Sequence, residues 1–291
     1  MTPREYATPG ALRTALEARL LQRSREEGVD LQRLRRQVAC DRLLARMFSS
    51  NASRNAWVLK GGYALELRFN QARSTKDLDL TVRGPDGVRT TADSASALRE
   101  RLQFVAMDRQ SDFFVFVIGE ATLELNQAPE GGARFPVDAR MDGRTFARFH
   151  VDLAVGDDVI EPLEQLSGDD WLGFAGIAPI SVPALSAEQH WAEKIHAYTR
   201  PREGTNSRVK DLVDLVLLID RHEMSVDRIR SAVEATFARR RTHPVPTELP
   251  APPAAWSRPF AALAAECGLA YSAQTAHQRA SDYWRELRQP Q

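Results

Sequence analysis

The run DLDLTV, Asp77 to Val82, constrains the fold of this chain more than any other segment. Acidic and apolar residues alternate with period two, which is the period of a strand. On a strand, Leu78 and Leu80 face one way, into a core. Asp77 and Asp79 face the other way together. Two carboxylates held side by side repel unless a cation neutralises them or one takes up a proton. Oxygen-only ligands suit Mg²⁺ or Mn²⁺.

The residues before this run add a second requirement. LKGGYALELRF, Leu59 to Phe69, reads as a turn at Gly61-Gly62 opening a short helix. A glycine pair at a helix start lets backbone N–H groups approach a phosphate closely. A metal on one side and a phosphate on the other describes a nucleoside triphosphate held through a divalent ion. A third carboxylate would complete a two-metal site. Asp152, in RFHVDLAVG, lies on a predicted strand between Val151 and Leu153 and is the expected third ligand. Asp138 competes for that role, and Asp157 and Asp158 fall where the strand is ending.

The rest of the chain divides in two. Leu12, Leu16 and Leu20, then Leu31, Leu34, Val38, Leu43 and Phe48, recur at helical spacing. These two helices are rich in arginine, from Arg13 to Arg46. A solvated helix face is the plain explanation, and a phosphate-contacting surface the sharper one. SASALRERLQFVAM reads as a helix, DFFVFVIG and ATLELNQ as strands. RFPVDARMDGRTFARFHVDLAVG reads as two strands joined at Met141-Asp142-Gly143, an Asp-Gly hairpin. Beyond Gly156 the pattern changes. Ser186 to Gln189 reads as a capping box opening a helix through Tyr198. Helices over SRVKDLVDLVLLIDRH and SVDRIRSAVEATFARRR follow, then a Pro-rich loop over 243–259 and two more helices, near Phe260 to Cys267 and Ala273 to Leu287. The expected fold is α+β: a mixed, largely antiparallel sheet with helices over residues 1–165, then a helical domain over 166–291.

Composition excludes several classes. Of 291 residues, 43% are hydrophobic and 27% charged, as in ordinary globular domains. The 39 basic and 39 acidic residues balance, which argues against wholesale coating of nucleic acid but leaves room for a local basic patch. The longest apolar run, FFVFVI, is too short to cross a bilayer, so no membrane partner is expected. MTPREYATPG has no apolar segment of a secretory signal, and two cysteines make no disulfide framework. A cytoplasmic location is the expectation. The six histidines show no zinc spacing with cysteine; His190 and His196 are expected to be structural or solvent-facing, and Trp57 to be core.

Glycine pair, DxD strand and later aspartate strand resemble the DNA polymerase β nucleotidyltransferase superfamily. KGGYALELRFNQARSTKDLDL resembles, more narrowly, the first motif of the AbiEii/AbiGii nucleotidyltransferase-like toxin family, which includes the MenT toxins. Lys60, Gly61, Gly62, Ala64, Leu65, Arg73, Thr75, Asp77, Asp79 and Leu80 match it; Tyr63 replaces the commoner threonine. AEKIHAYTRPREGTNSRVKDLVDL resembles the family's later helical motif through Glu193, Lys194, Ala197, Arg200, Arg208, Lys210, Asp211, Asp214 and Leu215.

The resemblance implies a metal-dependent enzyme that moves a nucleotide from an NTP to RNA, often the 3′ end of tRNA. The protein would be a toxin that blocks translation and is paired with an antitoxin. Asp77, Asp79, Lys194 and Asp211 are the expected catalytic residues. Gly61, Gly62, Arg73, Thr75 and Lys194 would bind the nucleotide, and Asp77, Asp79 and Asp152 the metal. Lys194 can offset charge on the leaving pyrophosphate, and Asp211 can fix that lysine or act as a base. Arg208, Lys210, Arg239, Arg240 and Arg241 are the expected RNA contacts, beside the arginine-rich N-terminal helices. For the Arg239 to Arg241 run, favourable charge at a helix C-terminus is the plainer explanation. Two alternatives stay open: nucleotidylation of a protein or small molecule, and nucleotide-dependent partner binding without turnover. Thr75, two residues before Asp77, is a candidate for regulatory phosphorylation, because a phosphate there would crowd the metal site with negative charge.

Overall fold

The structure, a computed structural model, describes residues 4–50, 55–69, 71–83, 94–125, 128–202 and 208–289. The chain forms two compact units, 1–67 with 75–157 and 165–184, and 68–74 with 158–164 and 185–291.

The first unit is a mixed α+β body. Helices α1 (Pro9–Glu27) and α2 (Leu31–Met47) lead into strand β1 (Trp57–Lys60), helix α3 (Gly61–Arg68) and strand β2 (Asp77–Val82). Helix α4 (Ala95–Ala106) and strands β3 (Val115–Ile118), β4 (Leu123–Glu124), β5 (Gly132–Met141), β6 (Arg144–Val155), β7 (Glu164–Ser167) and β8 (Ser181–Ala184) follow. The sheet order is β3-β5-β6-β2-β1-β8-β7, with β4 beside β5. β2 runs antiparallel to β1 and parallel to β6, while β5 and β6 form the long hairpin. Asp142 and Gly143 turn it with φ of 55° and 69°, the positive pair that a two-residue hairpin requires.

One face of the sheet packs on the helices. Phe135, Val137, Leu78, Leu80, Val151 and Leu153 join Leu16, Val38, Leu43 and Leu102 in one core. Trp57 is buried in it, as expected. The arginines of the N-terminal helices divide. Arg42 and Arg46 are buried, and both bond Asp112, Arg46 at 2.6 and 2.9 Å. They are a core ion cluster, so those two are removed from the expected RNA surface. A solvated carboxylate cannot balance an arginine that the core has already dehydrated, so Asp112 is buried with them.

The second unit is helical: α5 (Ala187–Thr199), α6 (Val209–Arg221), α7 (Val226–Arg240), α8 (Ser257–Glu266) and α9 (Ala273–Leu287). The Ser186 hydroxyl accepts from the Gln189 amide, which caps α5. The expected capping box is only half made. The Gln189 side chain instead bonds Ile160 N and Asp158 O, satisfying backbone outside the helix. α8 begins earlier than its sequence suggests, inside the Pro-rich stretch. Pro259 sits in its first turn, where a missing N–H costs nothing.

Candidate functional site: a carboxylate row and a lysine-centred ion cluster

In the first unit the strand register lines up four charged residues across four strands. Lys60 pairs with Asp79, Asp79 with Asp152, and Asp152 with Arg134. Asp77, two residues from Asp79, lies on the same face and pairs with His150, whose Nδ1 is 3.3 Å from its Oδ1. Leu78 and Leu80 are fully buried on the other face. The alternation in DLDL is therefore realised as expected.

Gly61 shows why the motif needs glycine. Its φ is +67°, and a Cβ there would fall on the Asp79 carboxylate, 2.6 Å from Cγ. Any L-side chain would therefore push the second aspartate off the face. Lys60, one residue earlier, is buried and ion-paired to Asp157, which also accepts from the Thr81 hydroxyl at 3.2 Å. Asp157 thus closes the end of the row and is held by lysine. Asp138 pairs with Arg140 at 2.7 Å, well along β5.

Arg134 is the residue that sequence reasoning missed. Its guanidinium forks onto both oxygens of Asp152, at 2.8 and 2.7 Å, and reaches Asp77 Oδ2 at 3.2 Å. Hydrogen bonding to Asp152, with the charges of Asp77 and Asp79 behind it, raises its pKa further above the usual arginine range. Nothing in GGARF marks this arginine, because only hairpin register brings it opposite Asp152.

Thr75 precedes the row. Its backbone N–H donates to Glu66 at 2.6 Å, and its hydroxyl bonds the Asp77 backbone at 3.3 and 3.4 Å. Burial raises the Glu66 carboxyl, against the pull of Arg33 and the Thr75 amide. This short turn fixes where the strand starts, and so which residues face the row.

Carboxylate oxygens of this kind suit a divalent ion. Asp77 and Asp79 offer a pair of oxygen donors on one face, and Gly61 leaves room at Asp79. Arg134 holds both oxygens of Asp152 and Oδ2 of Asp77, and His150 lies against Asp77 Oδ1. Among the described residues no three His, Cys, Asp or Glu side chains converge as a metal cage.

The second unit carries its own cluster. Lys194 Nζ lies 3.1 Å from Asp211 Oδ1 and 2.7 Å from Asp214 Oδ2. Arg73 forks onto Asp214 at 2.8 and 2.7 Å. Arg208 Nη1 is 3.6 Å from Asp211 Oδ2. Burial works to raise the Asp214 carboxyl, but Lys194 and Arg73 outweigh it and hold it at about 2. Burial likewise opposes the Lys194 charge, and Asp214 and Asp211 overcome it, raising its pKa. Sequence spacing brought Lys194 and Asp211 forward; Asp214 is the carboxylate that joins lysine to arginine.

His190, one turn before Lys194, is buried, and burial with the nearby cations of Lys194 and Arg68 keeps it neutral. Arg68 Nη1 donates to its Nδ1 at 3.3 Å, which puts the ring proton on Nε2. His196 is buried too, so both histidines are structural.

The expected RNA contacts are spread over the helical unit. Arg239 is 3.9 Å from Asp158 and Arg240 3.4 Å from Glu193. Lys210 and Arg241 are exposed, and Arg241 ends α7 with φ of 48°.

A DxD strand beside a second aspartate strand, with a glycine turn packed under one carboxylate, defines a nucleotidyltransferase-type fold. The comparisons agree. The model of the nucleotidyl transferase AbiEii toxin family, type IV toxin–antitoxin system, matches residues 42–284, and the chain belongs to that family. Among solved structures it is similar in fold to MenT4, a nucleotidyltransferase toxin from Mycobacterium tuberculosis H37Rv. That match has 16% identity over 93% of this chain and 96% of MenT4, with a TM-score of 0.55. JHP933 from Helicobacter pylori matches at 14% identity over 89% of this chain and 97% of its own, with a TM-score of 0.44. No curated protein matches. No helix among the described residues is long and apolar enough to cross a membrane.

Proposed function

We propose that this toxin transfers a nucleotidyl group from an NTP to an RNA hydroxyl, with the 3′ end of tRNA as the acceptor, and so stops translation in the cytoplasm. The observation that carries the reading is the packing of Gly61 under Asp79, on a strand that turns Asp77 to the same face. A bare DxD occurs on many solvent faces. One whose second carboxylate is seated over a glycine at a helix start is built to admit a ligand.

Mg²⁺ or Mn²⁺, when bound, would neutralise the triphosphate and polarise the reacting phosphorus. Asp77 and Asp79 would hold it, and Gly61 and Gly62 would present backbone N–H groups to the phosphates. Asp152 orients Arg134 beside Asp77. For Lys194 the role is charge stabilisation of the leaving pyrophosphate, with Asp211 and Asp214 fixing its ammonium. Arg73 and Thr75 belong to the same nucleotide-binding set; Arg73 acts through Asp214, and Thr75 through the start of β2. Arg208, Lys210, Arg239, Arg240 and Arg241 are the basic residues offered to RNA phosphates. An antitoxin is the remaining partner.

The test is incubation with bulk tRNA and each labelled NTP in turn. Label should enter RNA with at least one NTP and be lost in Asp77→Ala. Label in a protein band would redirect the reading to protein nucleotidylation. No transfer with any NTP, identical to the Asp77→Ala control, would end the enzymatic reading.

A further inference from the structure

The carboxylate row is one line of a sheet face that continues past it. Side chains return to the same face of a strand every second residue. Two residues from His150, the partner of Asp77, β6 brings Arg148 to this face. Arg148 stands opposite Asp138 on β5, and Asp138 opposite Val117 on β3. One step further along β5, Arg140 stands opposite Val115. The side chains of Arg148 and Arg140 are 76% and 46% exposed, and Val115 and Val117 are 61% and 44% exposed. The face therefore passes from the acidic row into a strip that is basic and apolar.

One carboxylate fixes both arginines. Arg140 Nε donates to Asp138 Oδ2 at 2.7 Å, and Arg148 Nε lies 3.7 Å from Oδ1. Neither guanidinium makes a further bond among the described residues. Their terminal N–H groups stay available, and these are the groups that grip a phosphate in a fork. Two cations on one carboxylate leave the strip with a surplus positive charge. Strand geometry puts Arg148 about 7 Å along the sheet and about 5 Å across it from Asp77.

We propose that this strip is the track for the single-stranded end of the acceptor RNA, with its phosphates on Arg148 and Arg140 and its bases against Val115 and Val117. The inference rests on the transfer reading for the identity of the acceptor. Transfer to a terminal hydroxyl holds the last nucleotide at the row, so the preceding ones must leave over a neighbouring surface, and this strip is continuous with the row. Its charge favours RNA over a protein partner. A protein lying on the valines would bury two arginines with one counter-charge between them, which is costly, whereas each RNA phosphate brings its own.

The experiment follows a fluorescein-labelled single-stranded RNA of about eight nucleotides binding to the full chain, by anisotropy in EDTA so that no transfer intervenes. Arg148→Gln keeps the Arg140–Asp138 bond. It should weaken binding about 5-fold at about 0.1 M salt and lower the salt slope by about 0.7, the loss of one single-strand phosphate contact. Val115→Glu, which sets a carboxylate opposite Arg140, should weaken binding at least as much. Arg285→Gln, on α9, removes another exposed charge and should bind as the wild type does. Circular dichroism checks folding, and either strip variant carries the test if the other does not fold. No binding by the wild type, or affinity and slope in the strip variants equal to those of Arg285→Gln, would overturn the proposal and leave the strip to a protein partner. Labelling of tRNA by the wild type is read separately. Labelling with unchanged RNA affinity in the strip variants defeats the track alone. RNA binding that depends on Arg148, without labelling by any NTP, supports the track and defeats the transfer reading alone.

Discussion

The α-carbon of Gly61 lies so close under Asp79 that a single methyl group would collide with the carboxylate. Two requirements meet at that one position. The backbone needs φ of +67°, and the Asp79 carboxylate needs the space. Gly61→Ala should therefore cost about 1–3 kcal/mol of stability from backbone strain. Its transfer rate should fall about 10²-fold through displacement of Asp79. Urea unfolding and initial-rate assays on the same preparation separate the two effects. A variant that is destabilised but keeps full turnover would show that Asp79 does not need its present position.

Asp214 links Lys194 to Arg73 with no solvent exposure of its own. Replacing it by asparagine leaves two cations without their shared counter-charge, and breaking a buried pair this way costs about 3–5 kcal/mol. Its carboxyl is held at about 2, below the ordinary 3.8. The stabilisation is thus complete above about pH 4 and lost as pH falls through 2. Wild-type stability should drop across that acid window, and Asp214→Asn should lack that component. A chemical denaturation series from pH 5 to pH 2 reads the difference.

Asp41 titrates the other way. Burial raises its carboxyl to about 7, although the Tyr63 hydroxyl at 2.6 Å and the Trp171 indole N–H at 2.9 Å both favour the charged form. A raised carboxyl favours folding most below the unfolded value near 4, and that contribution fades as pH rises through 7. Asp41→Asn can keep both contacts by accepting from Trp171 and donating to the Tyr63 oxygen. The variant should match the wild type near pH 4 and exceed its melting temperature at pH 8. Parallel melting curves for the two would refute this assignment. Tyr63, the departure from the family's usual threonine, here serves Asp41 and the Gln37 carbonyl rather than a ligand.

Thr75 supplies a regulatory prediction. Its hydroxyl bonds the backbone of Asp77, the first residue of β2. A phosphate there would add about 1.5 to 2 negative charges beside the row and break that turn. Thr75→Glu should lower transfer at least 10-fold, and the transfer that remains in Thr75→Ala should be insensitive to an antitoxin acting by phosphorylation. Full sensitivity in Thr75→Ala would remove Thr75 as the regulated residue.

Local pattern determined a good part of this protein. The period-two alternation of DLDL settled which way Asp77 and Asp79 face, because neighbouring strand side chains must alternate. Asp142-Gly143 announced its hairpin because so few residues tolerate positive φ. The spacing of Lys194 and Asp211, carried by a family motif, foretold their ion pair. Each of these rests on a few consecutive residues or on a family pattern of them.

The tertiary structure decided who neutralises whom. Arg134 meets Asp152 only because the β5–β6 hairpin closes in one register, and a slip of one residue would turn the guanidinium to the other face. Arg73 and Asp214 are 141 positions apart, and Arg46 and Asp112 66 apart. Charge interactions reach any partner that folding brings within a few ångströms, and sequence separation carries no record of that distance. The aspartates of the row were therefore legible one strand at a time, whereas the arginine that holds two of them together was not.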